Sequence, residues 1–216
     1  MASTPATHTQ QPTGRRLTFG KNYAVLNLDL MSILIDAIKD MAVGKAFVSN
    51  CTRWNDAVHQ KDPRPLTIFS SLSFTPGEMG LGKDAPFSRL VEGFGSFATG
   101  PSGTQIAPDF KVDSQDIILQ KTRWYAGAGN SLKQILRTQN IDTVIVSGLS
   151  LSGVVMSTVY RLFDLDCNIY VIRDNVLELP PDQHAQYSQV LLDSLLPKMN
   201  LKVISLKEAL DMLALD

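Results

Sequence analysis

Thr143-Val-Ile-Val-Ser-Gly-Leu-Ser-Leu-Ser-Gly-Val-Val-Met-Ser-Thr-Val-Tyr160 is the stretch whose reading decides the fold. It opens with a short β-branched run and breaks at Gly148. After a few small residues it resumes with apolar positions at helical spacing, which predicts a strand, a tight turn and a helix. In open α/β sheets ligands sit outside the carboxyl ends of the strands, where such turns present backbone N–H groups and a helix N-terminus. The turn at 148–154 is therefore the first place to look for chemistry. It contains Leu, Ser, Gly and Val, and no cysteine.

Working outward, the same alternation recurs. Upstream, Asp116 to Gln120 reads as a brief strand ending at Lys121, followed by small and aromatic residues and by Asn130, which can cap a helix carrying Leu132, Ile135 and Leu136. Downstream come a helix over 152–165, a strand at Asn168 to Arg173, a helix over 182–196, a strand at Leu201 to Ser205 and a terminal helix from Lys207. Near the start, Tyr23 to Asp29 is an apolar run ending in an acid, as expected of a buried parallel strand. Ser32 can cap a helix running to about Val43 and ended by Gly44, and Phe47, Val48, Cys51, Trp54, Ala57 and Val58 form a second helical stripe that places Cys51 in the core. Leu66 to Phe74 reads as another strand. Residues 75–115 then hold most of the local Gly and Pro, with a short helix or hydrophobic flap expected over Phe87 to Phe97. Long insertions of this kind tend to be lids or binding loops, so this one is expected to cover the site or a subunit contact. Strands alternating with helices predict a mostly parallel sheet covered on both faces.

Composition bounds the rest. The 216 residues, 44% hydrophobic, suffice for one substantial core. A tail over 1–20 without an apolar segment reads as disordered, leaving a single α/β domain over 21–216. Net charge is −1 with dispersed basic residues, which gives no footprint for nucleic acid or an anionic membrane. The partners expected are a small-molecule substrate and another subunit. Apolar runs fall short of the ~20 residues that span a bilayer. The two cysteines show no ligand spacing, so a soluble cytoplasmic protein with reduced thiols is expected.

Three strand ends thus offer an acid, a lysine and a Gly-turn-helix. In that order they resemble the isochorismatase-like, or cysteine hydrolase, superfamily from about Tyr23 onward. The family's aspartate lies in an apolar-apolar-Asp-Met-Gln stretch, matched by Leu26-Asn27-Leu28-Asp29-Leu30-Met31; its lysine precedes an Arg-aromatic stretch, matched by Lys121-Thr122-Arg123-Trp124-Tyr125-Ala126-Gly127. The family's nucleophilic cysteine stands six residues after the glycine that ends the central strand. That position is Val154, and Ser152-Gly153-Val154 is similar to a branch of the family with Ser-Gly-Val at this turn.

The resemblance implies a Rossmann-like three-layer α/β/α fold with a mostly parallel sheet of about six strands, and a homo-oligomer, dimer or tetramer. It implies Asp29 as general acid or base and Lys121 as charge stabiliser, although a lone strand-end lysine more often belongs to solvated surface. Trp124, Tyr125, Leu151, Ser152, Gly153 and Phe74 are the substrate-binding candidates, with the N–H groups of 152–154 as an anion pocket for an anionic or carbonyl-bearing metabolite. Ser152 is also read as a helix cap, and no histidine is placed to activate Ser150, Ser152 or Ser157. The family's metal-binding branch uses Asp-x-His after the second strand, where this chain has Ser-Phe-Thr-Pro-Gly. His8, His59 and His184 do not converge in sequence, so no metal and no other cofactor is expected. The competing reading is a catalytically silent binding or scaffold protein.

Overall fold

The computed structural model describes residues 18–74, 82, 84–93, 97 and 102–216. Six strands, β1 (Tyr23–Leu28), β2 (Leu66–Leu72), β3 (Ile117–Lys121), β4 (Thr143–Leu149), β5 (Asn168–Leu177) and β6 (Lys202–Ile204), form one sheet. Every pairing is parallel, in the order β3-β2-β1-β4-β5-β6. Chain order reverses between β1 and β4, so this doubly wound sheet has its switch point beside the predicted turn.

β1 and β4 are buried at every position. Their side chains alternate between two cores. Ala24, Leu26, Leu28, Val144 and Val146 pack with α4 (Leu132–Thr138) and α5 (Met156–Phe163); Val25 and Ile145 pack on the other face with α2 (Ala42–Gln60) and α8 (Leu206–Leu215). Coverage on both faces explains why these strands read as unbroken apolar runs.

Several boundaries differ from the sequence reading. The helix expected over 32–43 stops early, as α1 (Ser32–Ile38), and Met31 rather than Ser32 is its N-cap. Gly44 does not end that helix; it lies in the first turn of α2, where a Cβ would sit 2.0 Å from the Ile38 carbonyl oxygen. Glycine there lets the second helix start directly against the end of the first. The helix after β4 begins one residue earlier than expected, with a π-helical turn at Leu151–Val155 leading into α5. The segment at 182–196 is divided into α6 (His184–Val190), a second π turn at Leu191–Leu195 and a short α7 (Leu196–Lys198).

β5 extends four residues past its expected end. Val146 faces Val171 but Gly148 faces Val176, so two steps along β4 span five along β5 and the surplus bulges. The bulge holds Arg173, Asp174 and Asn175, polar residues that interrupt the apolar run.

The tail expected over 1–20 lies outside the described residues up to 17, but its last part is anchored. Phe19 is buried against Tyr23, Trp54 and Tyr170, and its N–H donates to Asp216 Oδ2 at 2.9 Å. In the 75–115 insertion, α3 (Pro86–Glu92) is the expected short helix. From Ser102 onward the insertion is strapped to the β1–α1 connection: Ser32 N–H donates to Gln105 O and Ala107 N–H to Leu30 O, each at 2.9 Å. Among the described residues no helix is long and apolar enough to cross a membrane.

Candidate active site

β1 ends at Leu28, and the next residue turns sharply: Asp29 has φ +55°, and its N–H donates to Ser70 O on β2 at 3.1 Å. A left-handed conformation costs a non-glycine residue about 1 kcal/mol. It holds a carboxylate that is almost fully enclosed. Ser70 Oγ donates to Asp29 Oδ1 at 2.9 Å, and Lys121 Nζ donates to Oδ2 at 2.7 Å. Lys121 closes β3, two strands away, and reaches back across β2. It is 1% exposed, so the surface reading of this lysine does not hold. Its ammonium also donates to Arg123 O at 3.0 Å and Trp124 O at 3.2 Å. Three acceptors for three N–H groups suit the charged amine and fix it in place.

Burial acts on the two members in opposite senses. It pushes the Asp29 carboxyl above its usual range, against the pull of the Lys121 charge and the hydrogen bonds from Lys121 and Ser70. It lowers the Lys121 amine, against the charge and hydrogen bond of Asp29. The two opposed influences leave Asp29 and Lys121 as an enclosed acid–amine pair in direct hydrogen-bond contact.

Gly148 makes the neighbouring turn possible. With φ +145°, it lies where a Cβ would be 2.3 Å from the Leu28 carbonyl oxygen, so β1 and β4 close up at their ends. The Leu149–Ser150 peptide that follows is cis. Together these elements surround a cavity of about 190 Å³. Asp29, Trp124, Ser152 and Val154 line it, as do Met31, Leu34, Leu72, Leu149, Ser150 and Leu179. Leu90, Val91 and Phe97 of the insertion are also among the described lining residues.

Four candidates stand elsewhere. Leu151 is fully buried in the core beneath α4 and α5, and Tyr125 packs half-buried against that cluster. Phe74 packs among the insertion's side chains and its N–H donates to Phe97 O at 2.8 Å, which leaves Phe97 at the wall. Gly153 backs the wall: a Cβ there would meet Ser150 Oγ at 2.7 Å and Trp124 Cε2 at 3.0 Å. Nor is Ser152 the helix cap. The N-cap is Ser150, without a side-chain cap bond.

Glu178, absent from the sequence reading, occupies part of the expected anion pocket. It follows β5, is 3% exposed and lines the cavity. Its Oε2 accepts from Ser152 N–H at 2.7 Å and its Oε1 from Leu179 N–H at 3.0 Å. Behind it, His184 Nδ1 accepts from Glu178 N–H at 3.2 Å, a structural hydrogen bond at the start of α6. Burial pushes this imidazole's pKa down, opposed by the Glu178 charge and reinforced by Arg173. The signal for Glu178 was an acid directly after the apolar pair Val176-Leu177, the same signal that marked Asp29. The polar bulge hid it by ending the strand at Arg173.

Both cysteines lie outside this lining, Cys51 buried in α2 with its thiol raised by burial, and Cys167 half-buried before β5. Among the described residues, the grouping suited to a metal is His59, Asp113 and Asp116 at the opposite end of the sheet. There the Arg64 guanidinium already engages Asp113 at 2.7 Å and Asp116 at 2.5 Å, which opposes a second cation.

Comparison with known proteins agrees with this architecture. An isochorismatase family protein from Burkholderia thailandensis superposes with a TM-score of 0.73 at 20% identity, over 91% of this chain and 98% of its own. The pyrazinamidase/nicotinamidase from Streptococcus mutans gives 0.68 at 18% identity, over 84% and 99%. N-carbamoylsarcosine amidase from Thermoplasma acidophilum gives 0.66 at 17% identity, over 86% and 97%. At these identities the likeness establishes the fold. Among curated proteins none matches the sequence. The family model described as the isochorismatase domain matches residues 23–204, which span the whole sheet and every wall of the cavity, and the chain belongs to the isochorismatase family.

Proposed function

We propose that this protein is an isochorismatase-family hydrolase or lyase that acts on a small carbonyl-bearing or ether-linked metabolite without a covalent cysteine intermediate. The observation that carries this reading is Asp29, which lines the cavity while holding Lys121 and Ser70 behind it. Val154 fills the wall where a family nucleophile is expected and offers no nucleophilic atom. In the forward step the protonated Asp29 carboxyl gives its proton to the leaving atom of the substrate. The carboxylate left behind is stabilised by the Lys121 ammonium and the Ser70 hydroxyl. In hydrolysis a water adds its oxygen to the other fragment and gives its proton to the Asp29 carboxylate; in a lyase the proton lost from the substrate on elimination returns to Asp29, so the carboxyl is restored either way. Lys121 serves as a positioning residue in this scheme, because its three N–H groups are engaged and it does not itself line the cavity.

Turnover of nicotinamide and of small neutral and cationic amides and ethers by the wild type, by Asp29→Asn and by iodoacetamide-treated protein tests the reading. Activity lost in Asp29→Asn and retained after alkylation is expected. Activity that survives Asp29→Asn, or that disappears on alkylation, overturns it. A second reading, a catalytically silent metabolite binder, is favoured by one observation: Glu178 takes the Ser152 N–H that would otherwise face a developing oxyanion. Tight binding with no product over many hours would favour that reading.

A further inference from the structure

The cavity wall holds two carboxylates of different standing. Asp29 has Lys121 as its counter-ion. Glu178 has two backbone N–H groups and takes part in none of the ion pairs formed among the described residues. The bases near it are committed elsewhere. His184 offers Nδ1 as an acceptor to the Glu178 backbone, and Arg173 pairs with Asp193. Buried carboxylates are ordinarily paired with a cation, because desolvating an isolated charge is costly. Each Glu178 oxygen gives one acceptor site to an amide, and a carboxylate has about four, so acceptor capacity remains.

The remaining wall sharpens the point. Among its described residues there is no Lys or Arg; Lys121 lies behind Asp29 with all three N–H groups bonded. An anion therefore meets the Glu178 carboxylate, an Asp29 already satisfied by Lys121, and an engaged amide. A cation meets a carboxylate with spare acceptor sites, apolar surface from Leu72, Val91 and Phe97, and the part-exposed indole of Trp124, which can also attract positive charge.

We infer that the cavity takes a small organic cation, its amine or amidine nitrogen on Glu178 and its apolar body against Leu72, Val91, Phe97 and Trp124. This deepens the reading of the cavity as a substrate site and rests on it; the charge is opposite in sign to the anion that the resemblance suggested. The space equals that of about six waters, which suits a body of a few carbons.

Three probes of one shape test the inference by calorimetry at pH 7 and fixed ionic strength: 3-methylbutylamine, 3-methylbutanol and 3-methylbutanoate. The amine is expected to bind at least tenfold more tightly than the carboxylate. Glu178→Gln is expected to weaken amine binding at least tenfold and leave alcohol binding within about twofold. A carboxylate that binds as well as the amine, no binding by any probe, or an amine preference unchanged in Glu178→Gln overturns the inference. Because Glu178 also holds Ser152, that variant could unfold, and the wild-type ranking then decides alone. Binding is read without turnover, so the two readings fail separately. If the ranking fails while Asp29→Asn still abolishes catalysis, the substrate class falls; if the ranking holds while Asp29→Asn stays active, the catalytic role of Asp29 falls.

Discussion

Acids meet bases at both ends of this sheet, in different surroundings. At the carboxyl ends of the strands, the Asp29 and Lys121 side chains are 3% and 0% exposed, and burial pulls each toward its neutral form. At the amino ends, Arg64 bridges Asp116 to Asp113, whose side chain is 47% exposed, with His59 Nε2 3.3 Å from Asp116. The second cluster ties the chain before β2 to the chain before β3, with the Asp116 and Arg64 side chains at 0% and 12% exposure and water reaching Asp113. The first joins two strand ends in a site closed to water. How strongly each acid–base contact is felt depends on how much water is kept out of it.

The largest effect that would break this contrast belongs to Lys121→Met. Removing the cation leaves Asp29 buried and unpaired, and urea denaturation is expected to show a loss of about 3–5 kcal/mol. The double variant Asp29→Leu with Lys121→Met is expected to regain most of it. Equal losses in the single and double variants would mean that the pair is not enclosed as described.

Ser70→Ala comes next, removing a hydrogen bond to a charged group at a cost of about 2 kcal/mol by the same measurement. Third is the dependence on pH. Folded Asp29 keeps its proton to higher pH than the unfolded chain, whose value is the ordinary 3.8. Its contribution is therefore full below 3.8 and is lost as pH rises through the raised folded value, with a slope of at most about 1.4 kcal/mol per pH unit. Lys121, lowered from 10.5, acts at the alkaline side: the native state releases that proton first, so stability rises with pH toward 10.5. Urea midpoints across the acidic range should show the falling component in the wild type and lack it in Asp29→Asn. The smallest effect is expected of Asp113→Asn, which removes only the exposed arm of the Arg64 cluster and is reduced further in 0.5 M salt. A loss matching that of Lys121→Met would erase the distinction between the two ends.

Much of the fold was legible because β1 and β4, buried on both faces, leave apolar runs that contrast with the helical stripes around them. The acid ending β1 and the lysine ending β3 were legible for the same reason: each closes a run. What escaped depended on contacts distant in sequence. Gly44 reads as a helix stop until the Ile38 carbonyl is seen against it. The enclosure of Lys121 depends on Arg123 and Trp124 turning their carbonyls inward, which composition does not encode. Tyr125 and Leu151 were drawn into the site by their neighbours in sequence, Trp124 and Ser152, yet successive residues here face different layers.

The bulge in β5 carries one more consequence. Leu149 pairs with Leu177, which brings Glu178 level with Ser150; in an unbulged β5 continuing the register of Val146 with Val171, the residue level with Ser150 would be Asn175. The three surplus residues are thus taken up in the bulge, and Glu178 instead of Asn175 comes level with Ser150. A relative lacking the surplus residues Arg173, Asp174 and Asn175 would keep an acid level with Ser150 in a strand without a bulge, so the bulge can be lost by deletion while the charge at this position is kept.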